Sequence, residues 1–291
     1  MKVKKAIILA AGFGTRMLPA TKSVPKELIP IVDKPAIQYL VEEIRNSGIE
    51  QIMIVISRGK TLIEDHFDYA PELEGRLAAS GKAKEEILKQ IRDIADLANI
   101  AYVRQKEMNG TGGALQLVRE FVGDEPVAVL YGDDVIMNPY PVVKQLTDAY
   151  DKYGKSVAGV QEVSKEAILK YSTMKVDKIE GNLYNLTDMI EKPTPDQVMS
   201  LFTILGRIVL TPDIFDYLDH TAPAANGELI LTDAMKKMAQ DGKMLALDFE
   251  GKRYDVGNKL GVMQAQVETA LKHPEIGDGF RTYLKELAKT L

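Results

Sequence analysis

Short apolar runs alternate with helical segments along most of this chain, and this order allows few folds. The runs at 6–10, 51–56, 100–103 and 127–131 predict strands. Pro35 and Gly48 are suited to begin and end a helix between the first two runs. Strands that alternate with helices favour a largely parallel sheet covered by helices on both faces. We therefore predict an α/β fold of three αβα layers, with its site at the carboxyl ends of the strands.

Other segments refine this architecture. Two alternating runs, 174–179 and 183–190, predict a hairpin that makes the sheet mixed. Residues 72–98 are charged and helical in period, which indicates an insertion packed on the sheet. Residues 258–290 predict two amphipathic helices suited to packing on the core or on another subunit. No Pro/Gly/Ser-rich linker or repeat interrupts the chain, so we predict a single domain over residues 1–291.

Composition excludes several classes of protein. A formal net charge of -5 argues against a general nucleic-acid or membrane-surface binder, because such proteins carry excess positive charge. The chain has no cysteine, which excludes disulfides, thiol catalysis and cysteine-based zinc sites. His66, His220 and His273 match no metal-binding spacing. No apolar run resembles a signal peptide or a membrane span, so we expect a cytoplasmic enzyme that binds neither nucleic acid nor membrane.

The segment after the first predicted strand contains glycines and positively charged residues. Gly12 and Gly14 let the backbone turn sharply and bring N–H groups against an anion. Arg16 and Lys26 add positive charge for phosphate oxygens. Two common phosphate loops do not fit, because Met17 stands where the dinucleotide motif needs a third glycine and no Gly-Lys-Ser/Thr follows. The segment therefore predicts a phosphate-binding loop of another kind.

Carboxylates follow two of the predicted strands. Asp133 and Asp134 come directly after the apolar run 127–131, and Asp255 follows a predicted strand at 244–249. Carboxylate oxygens at strand ends are suitable ligands for Mg²⁺. A hydrogen-bonded turn explains the first pair equally well, and a helix N-cap explains Asp255. The residues alone leave these alternatives open.

Several motifs together resemble one family. The string from Gly12 to Glu27, G-x-G-T-R-x-x-P-x-T-x-x-x-P-K-E, matches the signature of the sugar-1-phosphate nucleotidylyltransferases. The rest of the chain is similar to bacterial UTP-glucose-1-phosphate uridylyltransferases in segments such as 64–68, 191–193, 210–215 and 251–257. This resemblance implies a Rossmann-like nucleotidyltransferase fold, an Mg²⁺ cofactor, and conversion of UTP and glucose 1-phosphate to UDP-glucose and pyrophosphate. We also expect a homodimer or homotetramer.

The resemblance implies roles for individual positions. It implies nucleotide contacts at Ala10, Ala11, Gly12, Gly14, Gln105 and Gly110. It implies sugar contacts at Ser172, Glu191 and Lys192, and catalytic roles for Arg16, Lys26, Lys192 and Asp133. It further implies that Asp133 and Asp255 hold the magnesium ion and that Asp134 does not.

The chain departs from the family pattern at positions that affect specificity. Gly113 stands where the family has a histidine near the base, so we expect open space there and weaker discrimination between UTP and dTTP. Ser172 replaces a glycine beside the sugar, so we expect it to crowd glucose and Ser172→Gly to relieve the crowding. Ile208 replaces a tyrosine. Two alternatives stay open: the same chemistry with dTTP or another hexose 1-phosphate, and a non-catalytic nucleotide-sugar-binding homologue.

Overall fold

The computed structural model describes residues 1–290. Its strands are β1 (Lys5–Leu9), β2 (Pro30–Ile31), β3 (Lys34–Pro35), β4 (Gln51–Ile56), β5 (Asn99–Arg104), β6 (Val127–Tyr131), β7 (Asp134–Met137), β8 (Ser156–Glu162), β9 (Ser172–Glu180), β10 (Leu183–Glu191), β11 (Phe202–Leu210), β12 (Met244–Asp248) and β13 (Lys252–Asp255). Its helices are α1 (Ala36–Asn46), α2 (Thr61–His66), α3 (Pro71–Ala79), α4 (Glu85–Ala95), α5 (Gly110–Gln116), α6 (Arg119–Val122), α7 (Val142–Tyr153), α8 (Ile214–Asp219), α9 (Leu231–Gln240), α10 (Lys259–Ala270) and α11 (Gly277–Leu287).

One large sheet organises the molecule. Its nine strands lie in the order β5-β4-β1-β6-β11-β8-β12-β10-β9. The strands β5, β4, β1 and β6 are parallel neighbours, and β8 and β12 form a second parallel pair. The strands β11 and β10 run against their neighbours, so the sheet is mixed as predicted. Two short antiparallel pairs, β7 with β13 and β2 with β3, lie outside this sheet.

Both faces of the sheet are buried, because apolar side chains alternate between two cores. On β1, Ile8 belongs to one core and Ile7 to the other, as the period of two requires. Helices α1 and α7 contribute to the first core, and α5, α8 and α9 contribute to the second. The predicted three-layer α/β arrangement is therefore confirmed.

Most predicted elements form where the local pattern placed them. The strand at 51–56 and the turn at Gly48, whose φ is +84°, agree with the prediction, as does the hairpin of β9 and β10. The insertion differs in detail, because its two helices α3 and α4 are mostly solvated and Ile87 is 40% exposed. Only its end, at Ile94 and Leu97, packs against the core.

The C-terminal region forms two helices, as predicted. On α10, Ala265 and Ala270 are buried, whereas on α11 only Gly277 is buried. Tyr283 and Leu287 of α11 remain exposed. No helix within residues 1–290 is long and apolar enough to cross a membrane.

Candidate active site

Two cavities open at the carboxyl ends of the strands. The first, of about 460 Å³, we call the loop pocket. It is lined by Leu9, Ala11, Gly12, Phe13, Gly14, Thr15, Lys26, Gln105, Met108, Gly110, Thr111, Ala114, Tyr131, Asp133, Glu191, Lys192, Glu228 and Ile230. The second, of about 670 Å³, we call the hairpin pocket. It is lined by Arg16, Tyr131, Asp133, Asp134, Leu169, Lys170, Tyr171, Ser172, Glu191, Lys192, Ile204, Thr232, Arg253 and Asp255.

The two cavities meet along a shared wall. Tyr131, Asp133, Glu191 and Lys192 line both of them. Asp133 and Lys192 carry opposite charges at this boundary, so a molecule in either pocket can reach both an acidic and a basic group. The structure thus places two binding cavities side by side, with titratable groups where they join.

The glycine loop forms one side of the loop pocket. Gly14 has φ +68°, a conformation that side chains rarely adopt, and a Cβ there would lie 3.2 Å from both Lys26 Cβ and Thr21 Cγ2. The Thr21 hydroxyl donates to the Gly14 carbonyl at 2.8 Å and fixes the turn. A glycine is therefore required at this position by both backbone conformation and space.

Two cations of the loop reach the carboxylates. Lys26 Nζ donates to Asp133 Oδ2 at 2.6 Å, and Arg16 lies 3.5 Å from the same oxygen and 3.4 Å from Asp255 Oδ2. Burial alone would raise the pKa of Asp133, but Lys26 and Arg16 hold it below its usual range. Burial alone would lower the pKa of Lys26, but Asp133 and Glu27 raise it. Both groups are therefore charged near neutral pH.

Asp133 and Asp255 converge on one point. A Cβ built on Gly257 would lie 2.4 Å from Asp133 Oδ2, 2.6 Å from Arg16 Nη2 and 3.0 Å from Asp255 Oδ1, so any residue larger than glycine would displace these side chains. No group of three or more acidic or histidine side chains within residues 1–290 is arranged to hold a metal by itself. Two carboxylates that leave the other positions to water and phosphate match the usual protein site for Mg²⁺. The donor set therefore fits this ion.

Asp134 has a different partner from its neighbour. Its Oδ1 accepts from Arg253 Nε at 2.6 Å, and Arg253 Nη1 donates to the Tyr171 hydroxyl at 3.2 Å. That hydroxyl donates in turn to Asp255 Oδ2 at 3.1 Å. Burial raises the pKa of Asp134 to about 6, although Arg253 opposes the shift. Asp134 thus fixes the wall of the hairpin pocket through Arg253.

The sequence interpretation did not identify Arg253 and Tyr171. One signal for Arg253 was available, because residues two apart on a strand lie on one face and Arg253 stands two before Asp255. Tyr171 had no such signal beyond its place next to Ser172. Their contact joins segments 82 residues apart in the chain.

Glu191 and Lys192 lie where the second hairpin strand ends. Lys192 has φ +47°, and its N–H donates to the Tyr171 carbonyl at 2.7 Å, which ties the start of the hairpin to its end. The Thr232 hydroxyl, at the start of α9, donates to Glu191 Oε2 at 3.3 Å. Burial raises the pKa of Glu191, while Lys192 and Thr232 oppose the shift. Thr232 is a further site residue that the motifs alone did not assign.

The surroundings of Gln105 contradict one expectation. Its amide donates to Asn109 Oδ1 at 2.8 Å and to the Gly110 carbonyl at 3.2 Å. A Cβ on Gly113 would lie only 2.1 Å from Asn109 Oδ1, because the Asn109 side chain occupies that position. The expectation that Gly113 leaves open space was therefore wrong. The expected weaker discrimination against dTTP loses its physical reason.

The Ser172 side chain is held inside the sheet. Its hydroxyl lies 3.2 Å from Thr203 Oγ1, to which its N–H also donates, and the residue is 4% exposed. The sequence analysis placed this hydroxyl against the sugar. In the structure it contacts Thr203 on β11 instead, which removes the physical reason for expecting crowding.

Ser172→Gly should therefore change the affinity of the hairpin pocket for a sugar phosphate by less than about threefold, because the removed hydroxyl bonds to Thr203 and not to the pocket. The measurement is the KM for glucose 1-phosphate, with Thr203→Val as a comparison variant that removes both hydrogen bonds between Thr203 and Ser172 from the other strand. A KM at least tenfold lower in Ser172→Gly alone would restore the crowding hypothesis.

The remaining predicted positions are all near these pockets. Ala11, Gly12, Gly14, Gln105 and Gly110 line the loop pocket, whereas Ala10 is fully buried behind the loop. Their assigned roles remain predictions.

Comparisons with known proteins agree with this geometry. A family model described as Nucleotidyl transferase matches residues 5–272. A UTP–glucose-1-phosphate uridylyltransferase of Staphylococcus epidermidis is 48% identical over 286 residues, which cover 98% of this chain and 99% of that protein. One of Bacillus subtilis is 47% identical over 288 residues, which cover 99% of this chain and 96% of the relative.

Solved structures are similar over nearly the full chain. A UDP-glucose pyrophosphorylase complexed with UDP-glucose has a TM-score of 0.84 and 40% sequence identity. The match covers 93% of this chain and 100% of that chain. A UTP-bound UGPase from Acinetobacter baumannii has a TM-score of 0.90 and 32% sequence identity. The match covers 98% of this chain and 99% of that chain.

Proposed function

Because this chain belongs to the nucleotidyl transferase family, we propose that it converts UTP and α-D-glucose 1-phosphate to UDP-glucose and pyrophosphate. Relatives named for this activity match the chain over nearly its whole length. The observation that carries the proposal is the pair of adjoining pockets with Asp133 and Lys192 on their shared wall. A reaction between two phosphorylated substrates needs two sites that meet at the reacting phosphates.

The loop pocket is suited to the nucleotide. Gly12 and Gly14 expose the loop backbone to it, and Lys26 supplies a partly buried positive charge. Gln105, held by Asn109 and the Gly110 carbonyl, presents its remaining amide oxygen as an acceptor at the opposite wall. A planar base with N–H donors is the complementary group for such an acceptor.

The hairpin pocket is suited to the sugar phosphate. Glu191 offers carboxylate oxygens to sugar hydroxyls, and Lys192 stands next to it at the boundary with the loop pocket. We place the glucosyl group against Glu191 and beside Ser172, which lines the pocket although its hydroxyl contacts Thr203, and the phosphate against Lys192. Tyr171 and Arg253 fix the outer wall.

The chemistry needs no covalent enzyme intermediate. An oxygen of the sugar phosphate attacks the α-phosphorus of UTP in line, the bond to the α,β-bridging oxygen breaks, and pyrophosphate leaves with that electron pair. Lys192 orients the attacking phosphate. Lys26 in the loop pocket, and Arg16 where it reaches Asp133 at the boundary from the hairpin pocket, neutralise charge that grows on the leaving group. Catalysis therefore rests on positioning and on preorganised positive charge.

We further propose that Asp133 and Asp255 hold a divalent metal, specifically Mg²⁺. When bound, the ion neutralises phosphate oxygens and so lowers their repulsion of the attacking oxygen. The convergence of the two carboxylates beside Gly257 supports this assignment. Lys26 and Arg16 keep the carboxylates in place before the ion arrives.

A matrix assay tests the proposed substrates. Pyrophosphate release is measured for UTP, dTTP, ATP and GTP, each with glucose 1-phosphate, galactose 1-phosphate and mannose 1-phosphate. We expect the highest kcat/KM for UTP with glucose 1-phosphate. A higher value for dTTP or another hexose would assign the same chemistry to other substrates. No release with any pair, from protein that still binds UTP, would indicate a nucleotide-binding homologue without activity.

We also propose that the chain forms a homodimer or homotetramer through its C-terminal helix. Of the eleven residues of α11 only Gly277 is buried, and Tyr283 and Leu287 leave apolar surface exposed on this helix. A second copy of the chain would cover this surface. The mass of the purified protein in solution, measured by light scattering, tests the assembly.

A further inference from the structure

A buried ion pair lies beneath the loop pocket, and the proposed chemistry does not use it. Lys60, just before α2, bonds both carboxylate oxygens of Glu27, at 2.9 and 2.8 Å, and also the Ala10 carbonyl. Lys60 is 6% exposed and Glu27 is fully buried. An ammonium group has three protons, and three oxygens surround this one, which matches a charged lysine.

This pair joins segments that follow three strands of the sheet. Ala10 comes directly after β1, and Lys60 follows β4. Gly132 follows β6, and a Cβ built there would lie 3.1 Å from Glu27 Cγ. Glu27 also stands next to Lys26, whose ammonium bonds Asp133. The pair thus contacts the start of the nucleotide loop and the segment before Asp133 at the same time.

The contact with Ala10 has a consequence for Ala11. In a trans peptide the C=O of one residue and the N–H of the next lie in one plane and point in opposite directions. A carbonyl of Ala10 held by Lys60 therefore turns the Ala11 N–H away from the pair. Ala11 lines the loop pocket and is 5% exposed, and in the part of the chain that the structure describes its N–H donates no hydrogen bond.

An N–H of a buried residue without a protein acceptor calls for a ligand, because such groups are costly when they are left unpaired. We propose that Lys60 and Glu27 are a positioning pair for the nucleotide loop: Lys60 sets the Ala10–Ala11 peptide plane so that the Ala11 N–H faces the nucleotide, and Glu27 holds Lys60 in place. The inference rests on the proposed function, since it assigns the loop pocket to UTP.

A second buried pair provides a matched control. Arg207, fully buried on β11, bonds Glu43 of α1 at 2.7 Å, and Glu43 is 8% exposed. Neither residue lines either pocket. Removing one partner of a buried pair leaves an unpaired charge that can unfold the protein, whereas neutralising both partners leaves no buried charge. The test therefore uses double variants, Glu27→Gln/Lys60→Met and Glu43→Gln/Arg207→Met.

We expect both double variants to fold, as judged by circular dichroism and thermal midpoint. The Kd and KM for UTP should rise about tenfold in Glu27→Gln/Lys60→Met, the effect of one misaligned hydrogen bond. They should not change in the control, and the KM for glucose 1-phosphate should not change in either. UTP should slow hydrogen exchange of the Ala11 amide in the wild type and in the control, and less in Glu27→Gln/Lys60→Met.

Three outcomes overturn the proposal, and the one that also overturns the proposed function is distinguishable from the other two. Wild-type protein that binds no UTP in calorimetry would overturn the proposed function together with this inference. Wild-type protein that binds UTP, with Glu27→Gln/Lys60→Met binding it equally well, would leave the proposed function intact and reduce the pair to a structural role. A rise in the KM for glucose 1-phosphate as large as that for UTP would also overturn the positioning role.

Discussion

Replacing Asp133 or Asp255 with asparagine is expected to lower turnover by at least about 10²-fold, the scale of removing one preorganised electrostatic group. The fold should persist, because asparagine keeps the shape of the side chain and its ability to accept from Lys26 and Tyr171. Turnover is measured by pyrophosphate release at saturating substrates. Excess EDTA should abolish the activity of the wild-type protein.

Metal binding gives a readout separate from activity. Mn²⁺ titrations followed by electron paramagnetic resonance should show tighter binding to the wild type than to either variant. Asp134→Asn is the matched control in the same motif, because Asp134 bonds Arg253 and not the proposed metal. It should retain Mn²⁺ affinity. Full activity in EDTA, or loss of Mn²⁺ binding in Asp134→Asn alone, would contradict the assignment.

The sequence was sufficient to predict the layers and the place of the site. The strand at 51–56 follows from a local apolar pattern, and the carboxyl ends of such strands meet at one edge whatever their order. Asp133 follows such a strand, whereas its pairing with Asp255, 122 residues later, was implied by the family resemblance; in the structure both lie beside Gly257. Local patterns thus determine which elements form, and the sheet brings their ends together.

The sequence was insufficient where one side chain fills the space left by another. Asn109 occupies the position next to Gly113, and the Thr203 hydroxyl bonds both the N–H and the hydroxyl of Ser172 from 31 residues away. Neither contact follows from periodicity or spacing, because each depends on how distant segments pack. The expectations about Gly113 and Ser172 each considered one position alone. Contacts from other residues removed the physical reason for both. The buried Lys60–Glu27 pair was missed in the same way.

Removing the charge of Lys26 is expected to lower kcat by about 10²- to 10³-fold, with a much smaller change in the KM values. Its ammonium lies in the loop pocket against Asp133, where we place the phosphates that leave. Charge on those phosphates grows only as the bond breaks, so the loss appears in the transition state. Steady-state kinetics of Lys26→Met measures the effect, and Lys22→Met, which removes an exposed lysine from the same loop, is the control.

Lys192→Met should affect mainly the KM, with a raised KM for glucose 1-phosphate and a smaller change in kcat. The reason is that the charge of Lys192 holds a phosphate that is already present in the ground state. Methionine preserves the length of the side chain, and the left-handed backbone at 192 is strained to a similar degree by either residue. Lys26→Arg should recover part of the lost kcat, since it restores the charge. If Lys26→Met instead raised the KM for glucose 1-phosphate while Lys192→Met lowered kcat, the attacking and leaving phosphates would have to exchange places. The loop pocket would then be the end of the site from which the sugar phosphate attacks.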